Sequence, residues 1–297
     1  MKILFVCIIL LLVIDFSCSF LSLQSHSRRT MSSPLPTRGS KSLSICAASR
    51  PVEEYVCVPR EELLRDVLDT PVRAELLLNA ERVKKLRNRY IGYRHGQSHA
   101  NIAGIISSDY ETGCFVGEGD HGLTDLGKSQ AREATEVLLD LVGKERFKGD
   151  VLFVSSPFSR AKQTTEETQL ELQSKWGLEV PMEIDEGLRE RYFGEFDQLD
   201  LIFYNKVWPV DLVDSENTRY GVESVAQVCE RVLRVISKLE ERYENKVCVL
   251  TSHADTLQIA QTLFSGEDPR YFSQHRFKNC EARELIDIGK RVPIEYK

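Results

Sequence analysis

The chain has 297 residues, of which 42% are hydrophobic and 28% are charged, and its formal net charge is −6. This composition is typical of a globular protein and excludes a low-complexity or fibrous one. Residues 1–50 contain six lysines and arginines but one acidic residue, Asp15, so they carry about +5 and the rest of the chain about −11. Because nucleic acids are held by an excess of positive charge, the acidic body argues against nucleic acid as a partner.

Residues 1–19 have the layout of a secretory signal peptide. Lys2 precedes the apolar run ILFVCIILLLVI, and the small residues Ser17, Cys18 and Ser19 follow it. The run is shorter than the roughly 20 apolar residues of a membrane-spanning helix, so cleavage after about Ser19 is favoured over a single membrane anchor. After that cleavage we expect no stable association with a membrane.

Residues 20–50 resemble an organelle transit peptide, because they are rich in serine and basic residues and contain no acidic residue. A signal peptide followed by such a segment, with Phe20 at the junction, resembles the bipartite presequences of algae with secondary plastids. The expected location is therefore a plastid, with the secretory pathway as the alternative. The eight cysteines contain no CxxC pair and no zinc or disulfide spacing, which fits reduced thiols in a plastid stroma.

Residues 51–88 are predicted to form a helical N-terminal extension. Apolar residues recur at helical spacing over 59–87, with an interruption at Pro71. The segment is expected to pack outside the catalytic core, and a partner-binding arm is the alternative.

Residues 89–290 alternate between strand and helix patterns and are predicted to form one domain. Strands are predicted at 90–93, 150–155, 180–184, 246–251 and, as an edge strand, 283–288. Helices are predicted at 125–142, 158–176, 223–243 and 255–264. Such alternation predicts an α/β three-layer sandwich with a mostly parallel central sheet and helices on both faces. In this architecture ligands bind beyond the carboxyl ends of the strands.

The first predicted strand runs into Arg94-His95-Gly96, and Asn101 follows. Arg94 offers a planar fork that matches phosphate oxygens, and Asn101 can donate an amide hydrogen bond. Gly96 allows the backbone to approach a ligand closely. A histidine beside these residues, at the end of a strand, is well placed to meet an anion.

Three further signatures follow the other strands. Arg160 lies in the first turn of the predicted helix after Ser155-Ser156-Pro157, where a helix N-terminus already favours anions. Glu190 lies among arginines, and His253 follows an apolar strand. Taken singly, Arg160 also fits a surface ion pair and Glu190 a solvated acid. Because the strands are expected to be parallel, the signatures should converge at one edge of the sheet.

Taken together, the signatures resemble the histidine phosphatase superfamily, also called the phosphoglycerate-mutase-like family. The resemblance covers about residues 90–260, with six motifs in the family's order. They are RHGQSxxN at 94–101, GLTDLGKSQA at 122–131, SSPFSRAKQT at 155–164, LRERxFG at 188–194, GVES at 221–224 and SHAD at 252–255.

The resemblance implies a phosphatase that requires neither cofactor nor metal and acts on a small phosphate ester such as a sugar phosphate. His95 would be the nucleophile that carries the phosphoryl group, with its tautomer fixed by a backbone hydrogen bond. Glu190 would be the general acid and then the general base. The phosphate oxygens would be held by four side chains, Arg94, Asn101, Arg160 and His253.

Two other functions remain open at this point. Mutases of the family carry a long insertion between the glutamate and GES-like motifs, whereas 26 residues separate Gly194 from Gly221 here, which favours a phosphatase. A non-catalytic relative that binds phosphate or a phosphoprotein would be expected to lack His95, Glu190 or an arginine, and all are present. Ala254 replaces the usual glycine after the second histidine, and Gln97 stands where mutases generally have glutamate.

The segments 102–122 and 195–220 are predicted as irregular loops that border the substrate. His99 is interpreted as a surface residue, and His121 is interpreted as a loop residue with a substrate contact as the alternative. Thr124 and Gln130 are assigned to the structure of a turn and helix and not to chemistry.

Overall fold

The computed structural model describes residues 86–285. The predicted signal peptide (1–19), the transit-like segment (20–50) and almost all of the helical extension (51–88) lie outside the described residues and stay predictions, as does the end of the domain at 290. Within residues 86–285 no helix combines the length and the apolar character needed to cross a membrane.

The described residues contain one five-stranded sheet. Its strands are β1 (Arg89–Arg94), β2 (Val151–Ser155), β3 (Met182–Ile184), β4 (Val247–Ser252) and β5 (Ala282–Glu284). The spatial order is β3-β2-β4-β1-β5, in which the first four strands are parallel and β5 pairs antiparallel with β1. The predicted mostly parallel sheet is therefore confirmed, with its fifth strand at the edge.

Helices cover both faces of this sheet. The described residues form the helices α1 (His99–Ala103), α2 (Tyr110–Cys114), α3 (Asp125–Val142), α4 (Ser159–Trp176), α5 (Tyr204–Asp211), α6 (Val225–Arg242) and α7 (Ala254–Ser265), of which α3, α4, α6 and α7 pack on the faces. On one face, Tyr90, Leu152 and Leu250 pack in a core with α6 and α7. On the other face, Ile91 and Phe153 pack in a core with α3 and α4. Because successive side chains of a strand point to opposite faces, the strands β1, β2 and β4 each contribute to both cores. The three-layer α/β prediction is confirmed.

The long helices begin at residues that the sequence pattern indicates. The Thr124 hydroxyl accepts the Gly127 N–H and caps α3, whose bounds match the predicted 125–142. Ser224 and Gln227 form a reciprocal capping box that starts α6. Helix α4 ends at Gly177 in the left-handed conformation.

The two predicted irregular loops contain helices, so that part of the prediction is wrong. Helix α2 and the last two residues of α1 lie within 102–122, and α5 lies within 195–220 together with short 3₁₀ turns. These helices are five to eight residues long, too short to be stable on their own, so tertiary packing forms them. Pro209 inside α5 also lacks a backbone N–H for a helical hydrogen bond, so the sequence of this segment does not indicate a helix.

A third apolar cluster holds these loops above the carboxyl edge of the sheet. Its buried members are Ile106, Phe193, Phe196, Val207 and Val222. The segment 106–109 is also held by a backbone hydrogen bond, in which the Ile106 N–H donates to the Leu199 carbonyl at 2.8 Å. The cluster therefore places the loops next to the ends of β1 and β4, where the polar residues of the motifs lie.

Gly96 and Gly127 allow the chain after β1 to pack backbone-to-backbone against α3. A Cβ atom on Gly96 would lie 2.5 Å from the Gly127 carbonyl oxygen, and a Cβ on Gly127 would overlap the Gln97 carbonyl oxygen. In both cases the obstructing atom belongs to the backbone, which cannot rotate away.

Gly127→Ala is therefore expected to lower the free energy of unfolding by about 1–3 kcal/mol through overpacking. Helix propensity alone predicts the opposite sign, a gain of about 1 kcal/mol. Urea unfolding followed by circular dichroism measures the change. Glu136→Ala, an exposed position on the same helix, is the control and should stay within about 0.5 kcal/mol. A Gly127→Ala protein as stable as the wild type would contradict this close packing.

Candidate active site

The carboxyl ends of three neighbouring strands bring His95, Arg160 and His253 together. His95 follows β1, Arg160 lies in the first turn of α4 after β2, and His253 follows β4. The two histidine rings lie 5.1 Å apart between centroids, and Glu190 joins them from the segment after β3. All four side chains are buried, with 3% of His95, 3% of Arg160, 0% of His253 and 8% of Glu190 exposed.

The His95 imidazole is held in one orientation by its own backbone. Its Nδ1 lies 2.7 Å from the Gly96 carbonyl oxygen, which can only accept, so Nδ1 carries the proton. Nε2 is then unprotonated and accepts the Arg160 Nε–H at 3.2 Å. Burial, followed by the charges of Arg160 and Arg94, holds the pKa of His95 well below its usual value. The ring is therefore neutral at pH 7, with the lone pair of Nε2 directed toward Arg160.

The two terminal nitrogens of the Arg160 guanidinium donate hydrogen bonds to the segment that follows α1. One donates to the Ser107 hydroxyl at 3.0 Å and the other to the Ser107 carbonyl at 2.9 Å. Burial lowers the pKa of Arg160 to about 10, so the group remains charged at neutral pH. Ser107 was not predicted from the sequence as part of the site.

Two polar atoms beside this centre are buried without a hydrogen-bond partner in the described part of the chain, Arg94 Nε and His253 Nδ1. Arg94 also donates from Nη1 to the Phe277 carbonyl at 2.6 Å, and His253 Nε2 contacts the Ser156 hydroxyl at 2.8 Å. Leaving buried polar atoms unmatched costs about 1–3 kcal/mol each. Their position beside His95 indicates a binding site for a polar ligand.

The Glu190 carboxylate lies at the start of α7. Its Oε1 accepts the Arg191 N–H at 2.9 Å and the Thr256 N–H and hydroxyl at 3.3 Å. Asp255 lies behind it and accepts the Trp208 Nε1–H at 3.1 Å. Burial, followed by the charge of Glu190, raises the pKa of Asp255 to about 7. Two carboxyl groups therefore share the N-terminal turn of one helix beside the histidines.

A fully buried ion pair supports the glutamate segment from behind. Arg191 donates to both carboxylate oxygens of Asp211, at 2.6 and 2.9 Å. Burial alone would lower the pKa of Arg191, but the charge of Asp211 raises it. Asp211 was not predicted as part of the site. It lies 20 residues from Arg191 in a segment predicted as a loop, where a single aspartate resembles a solvated acid.

Asn101 lies at the edge of the site and has a structural contact. Its side-chain oxygen accepts the Ser98 N–H at 3.2 Å in the capping box of α1, and it also accepts from Asn279 at 3.3 Å. The predicted contact of its amide nitrogen with phosphate stays a prediction.

The neighbouring Gln97 backbone and side chain are held by Gln130 and Thr124, both at 2.9 Å. These contacts agree with the assignment of Gln130 and Thr124 to structure.

Asp197 anchors the segment that meets Arg160, and it too was missed. Its Oδ1 accepts the Ser108 N–H and hydroxyl at 2.6 and 2.7 Å and the Asp109 N–H at 3.0 Å. Ser107 in turn contacts His121 Nδ1 at 2.7 Å. The sequence favours a plain loop residue for His121 over a substrate contact, and in the structure His121 lies two hydrogen bonds from Arg160.

Among residues 86–285, no group of three or more His, Cys, Asp or Glu side chains is arranged to hold a metal ion. The charged groups around His95 are the arginines Arg94 and Arg160 and the carboxyl groups described above. Together they define a buried, cation-lined site with a neutral histidine at its centre, as expected for an enzyme that acts on a phosphate group.

Sequence comparison agrees with this class. The profile of the histidine phosphatase superfamily (branch 1) matches residues 91–292. The chain therefore belongs to that superfamily and is a phosphatase of the histidine phosphatase type. A curated relative is the "Uncharacterized phosphatase PhoE" of Bacillus subtilis (strain 168), which is 26% identical over 187 residues, or 63% of this chain and 82% of the relative.

Solved structures share the fold. The open reading frame Rv3214 protein from Mycobacterium tuberculosis has a TM-score of 0.50 at 21% identity, covering 66% of this chain and 89% of that one. The native mycobacterial glucosyl-3-phosphoglycerate phosphatase Rv2419c has a TM-score of 0.50 at 20% identity, covering 66% and 88%. At this identity the similarity establishes the fold.

Two substitutions are expected to change the pH dependence of stability in opposite directions. Burial, followed by the Arg160 charge, holds the pKa of His253 well below its usual value, so below about pH 6.5 the proton binds only in the unfolded chain. Each histidine of this kind lowers the free energy of unfolding by about 1.4 kcal/mol for every pH unit that the pH falls. His253→Gln should therefore gain stability relative to the wild type between about pH 7 and pH 5.

The Asp255 carboxyl changes the stability with pH in the opposite direction, because its pKa is about 7 in the folded protein and about 3.9 in the unfolded chain. The wild type loses stability as the pH rises between these values, so Asp255→Asn should gain relative stability from about pH 5 to pH 7. Urea unfolding of both variants and the wild type across this range tests the pair. Stability differences that do not change with pH would contradict the two pKa shifts.

Proposed function

We propose that the protein is a metal-independent phosphomonoesterase in which His95 attacks phosphorus and carries the phosphoryl group as a phosphohistidine. The observation that supports this most directly is the hydrogen bond from His95 Nδ1 to the Gly96 carbonyl, which leaves Nε2 unprotonated and next to Arg160. A neutral imidazole nitrogen held in this way is a competent nucleophile. Membership of the histidine phosphatase superfamily supports the same chemistry.

The substrate phosphate is proposed to bind between His95, Arg160, Arg94 and His253. Arg94 Nε and His253 Nδ1 are buried and directed to no partner in the described residues, so a phosphate oxygen would satisfy them. Arg160 would exchange its two contacts with Ser107 for phosphate oxygens. Two arginines then offset the two negative charges of the phosphate group, which is the function of a metal ion in other phosphoryl-transfer sites.

The reaction proceeds in two displacements. In the first, the lone pair of His95 Nε2 forms the N–P bond while the ester P–O bond breaks, and Glu190 gives its proton to the leaving oxygen. In the second, water attacks phosphorus, Glu190 takes the proton of the water, and the N–P bond returns its electron pair to His95. Because Glu190 Oε1 already accepts the N–H groups of Arg191 and Thr256, Oε2 is proposed as the oxygen that carries the proton.

A small phosphate ester is the proposed substrate class. His95 is 3% exposed and lies below the segment that carries Ser107. A small molecule can enter such a crevice, whereas a folded phosphoprotein would have to displace the surrounding segments.

Hydrolysis of p-nitrophenyl phosphate by the purified protein in the presence of EDTA tests this function. We expect turnover to persist in EDTA and to fall at least about 1,000-fold in His95→Asn, which removes the nucleophile. Arg160→Lys should lose about 100–1,000-fold, because lysine cannot replace the planar set of donors. Arg132→Lys is the matched control, since Arg132 is exposed on α3 and pairs with Glu167.

Activity that survives in His95→Asn would contradict the proposed nucleophile, and activity that EDTA abolishes would contradict metal independence. A folded wild-type protein without turnover on phosphate esters, but with phosphoryl transfer between phosphoglycerates, would assign it as a mutase.

A further inference from the structure

A cavity of about 550 Å³ lies against helix α6. We call it the α6 pocket. The helix contributes four residues that recur every three or four positions and therefore share one face, Gln227, Glu230, Arg231 and Arg234. Residues of the segments 189–192 and 218–223 complete the lining. The lining contains none of the residues assigned above to catalysis or to phosphate binding, so the α6 pocket is a separate site.

The lining of the α6 pocket is more positive than the protein around it. It contains three arginines and two glutamates, so its formal charge is +1, whereas residues 51–297 together carry about −11. One of the glutamates, Glu230, is exposed, and water and salt therefore screen its charge. The pocket is thus a place where an otherwise acidic protein attracts an anion.

The other glutamate, Glu223, is already fully paired. Its Oε1 accepts from Arg189 Nη2 and from Arg231 Nε, both at 2.8 Å. Its Oε2 accepts from Arg231 Nη2 at 3.1 Å and from the Tyr192 N–H at 3.3 Å. Burial alone would raise the pKa of Glu223, but the charges of Arg231 and Arg189 hold it below its usual value. Because a carboxylate has about four acceptor positions, Glu223 has none left for a further cation.

Several donors of the lining remain for a ligand. The Arg189 side chain is 30% exposed, and its Nη1 makes a single long contact of 3.4 Å with the Glu186 carbonyl. Arg234 is exposed and forms no ion pair within residues 86–285. The Gln227 side-chain oxygen accepts the Ser224 N–H at 2.8 Å, which leaves the amide NH₂ group as a donor. The pocket therefore offers two guanidinium groups and an amide to an incoming anion.

The arrangement of these donors indicates the kind of anion. Arg189 lies on the segment before Glu190 and Arg234 lies on α6, so the two guanidinium groups come from different elements. Each can pair with one carboxylate or phosphate group through parallel hydrogen bonds. The Tyr192 side chain, 38% exposed, adds an aromatic surface that a carbon skeleton can cover. The volume is within the range of about 300–1,000 Å³ that small-molecule sites occupy.

We propose that the α6 pocket binds a small organic polyanion, whose carboxylate or phosphate groups pair with Arg189 and Arg234. This site is additional to the centre around His95. The inference goes beyond the proposed phosphatase function and does not depend on it, because the binding residues lie outside the catalytic centre.

Isothermal titration calorimetry at low salt tests the proposal. Citrate is the carboxylate probe, and methylenediphosphonate is the phosphate-like probe, which has no ester bond to hydrolyse. We expect at least one of them to bind the wild-type protein with a Kd below about 1 mM. Arg234→Gln should weaken this binding about tenfold, the effect of one lost charged hydrogen-bond pair. Arg234→Glu should weaken it at least about 100-fold, because it also repels the anion.

Lys238→Gln is the matched control, since it removes the same charge from the same helix. Lys238 is exposed, pairs with Asp185 and does not line the pocket, so the affinity should change less than about twofold. Arg160→Lys is the second control, because it alters the catalytic centre and should leave the affinity of the α6 pocket unchanged. Arg234→Gln should hydrolyse p-nitrophenyl phosphate at the wild-type rate.

The possible results separate this site from the catalytic one. Binding of citrate alone or of methylenediphosphonate alone would support the site and assign its anionic group. Binding that weakens in Arg160→Lys but not in Arg234→Gln would place the anion in the catalytic centre and overturn the proposal. Equal weakening in Arg234→Gln and Lys238→Gln, or no binding of either probe, would overturn it as well. A protein that binds a probe at Arg234 but hydrolyses no phosphate ester would contradict only the proposed function.

Discussion

The hydrogen bond between His95 Nδ1 and the Gly96 carbonyl is the constraint on which the site depends, because it decides which ring nitrogen carries the proton and which is left with a free lone pair. It requires the backbone after β1 to be held firmly. The Gly96 N–H donates to the Thr164 hydroxyl at 3.0 Å, and the Gly96 backbone packs against Gly127 with no room for a side chain. The orientation of the His95 ring is therefore a consequence of helices α3 and α4 packing on the sheet.

Buried charge is distributed so that the site stays cationic while the acids lie behind it. Arg160 keeps its charge although it is buried, and His95 and His253 are held neutral by burial and by the neighbouring arginines. The buried carboxylate of Asp211 is paired with Arg191, so it does not compete for Arg160. Such an arrangement favours a dianion over neutral ligands without a bound metal.

The sheet and the long helices could be predicted from sequence, because apolar runs such as 247–252 and the amphipathic pattern of 125–142 depend on local spacing. The positions of His95, Arg160 and His253 follow from the same reasoning, since the two histidines come directly after parallel strands and Arg160 lies in the first turn of the helix that follows β2. The short helices α1, α2 and α5 depend on tertiary contacts, and periodicity cannot reveal them.

The supporting polar contacts were beyond prediction for a related reason. The hydrogen bonds of Asp197 to Ser108 join residues 89 positions apart, and the Ser107–His121 contact joins two loops. Nothing in the local pattern distinguishes these residues from solvated ones, although they decide how Arg160 is held.

The most direct test of the account is to identify the phosphorylated residue during turnover. The wild-type protein would be mixed with a phosphate ester, quenched in alkali to preserve phosphohistidine, digested and analysed by mass spectrometry. The account predicts a transient phosphoryl group on His95 at Nε2, detected on the peptide that contains Arg94-His95-Gly96. Turnover without any phosphorylated peptide, or with the group on another residue, would contradict it.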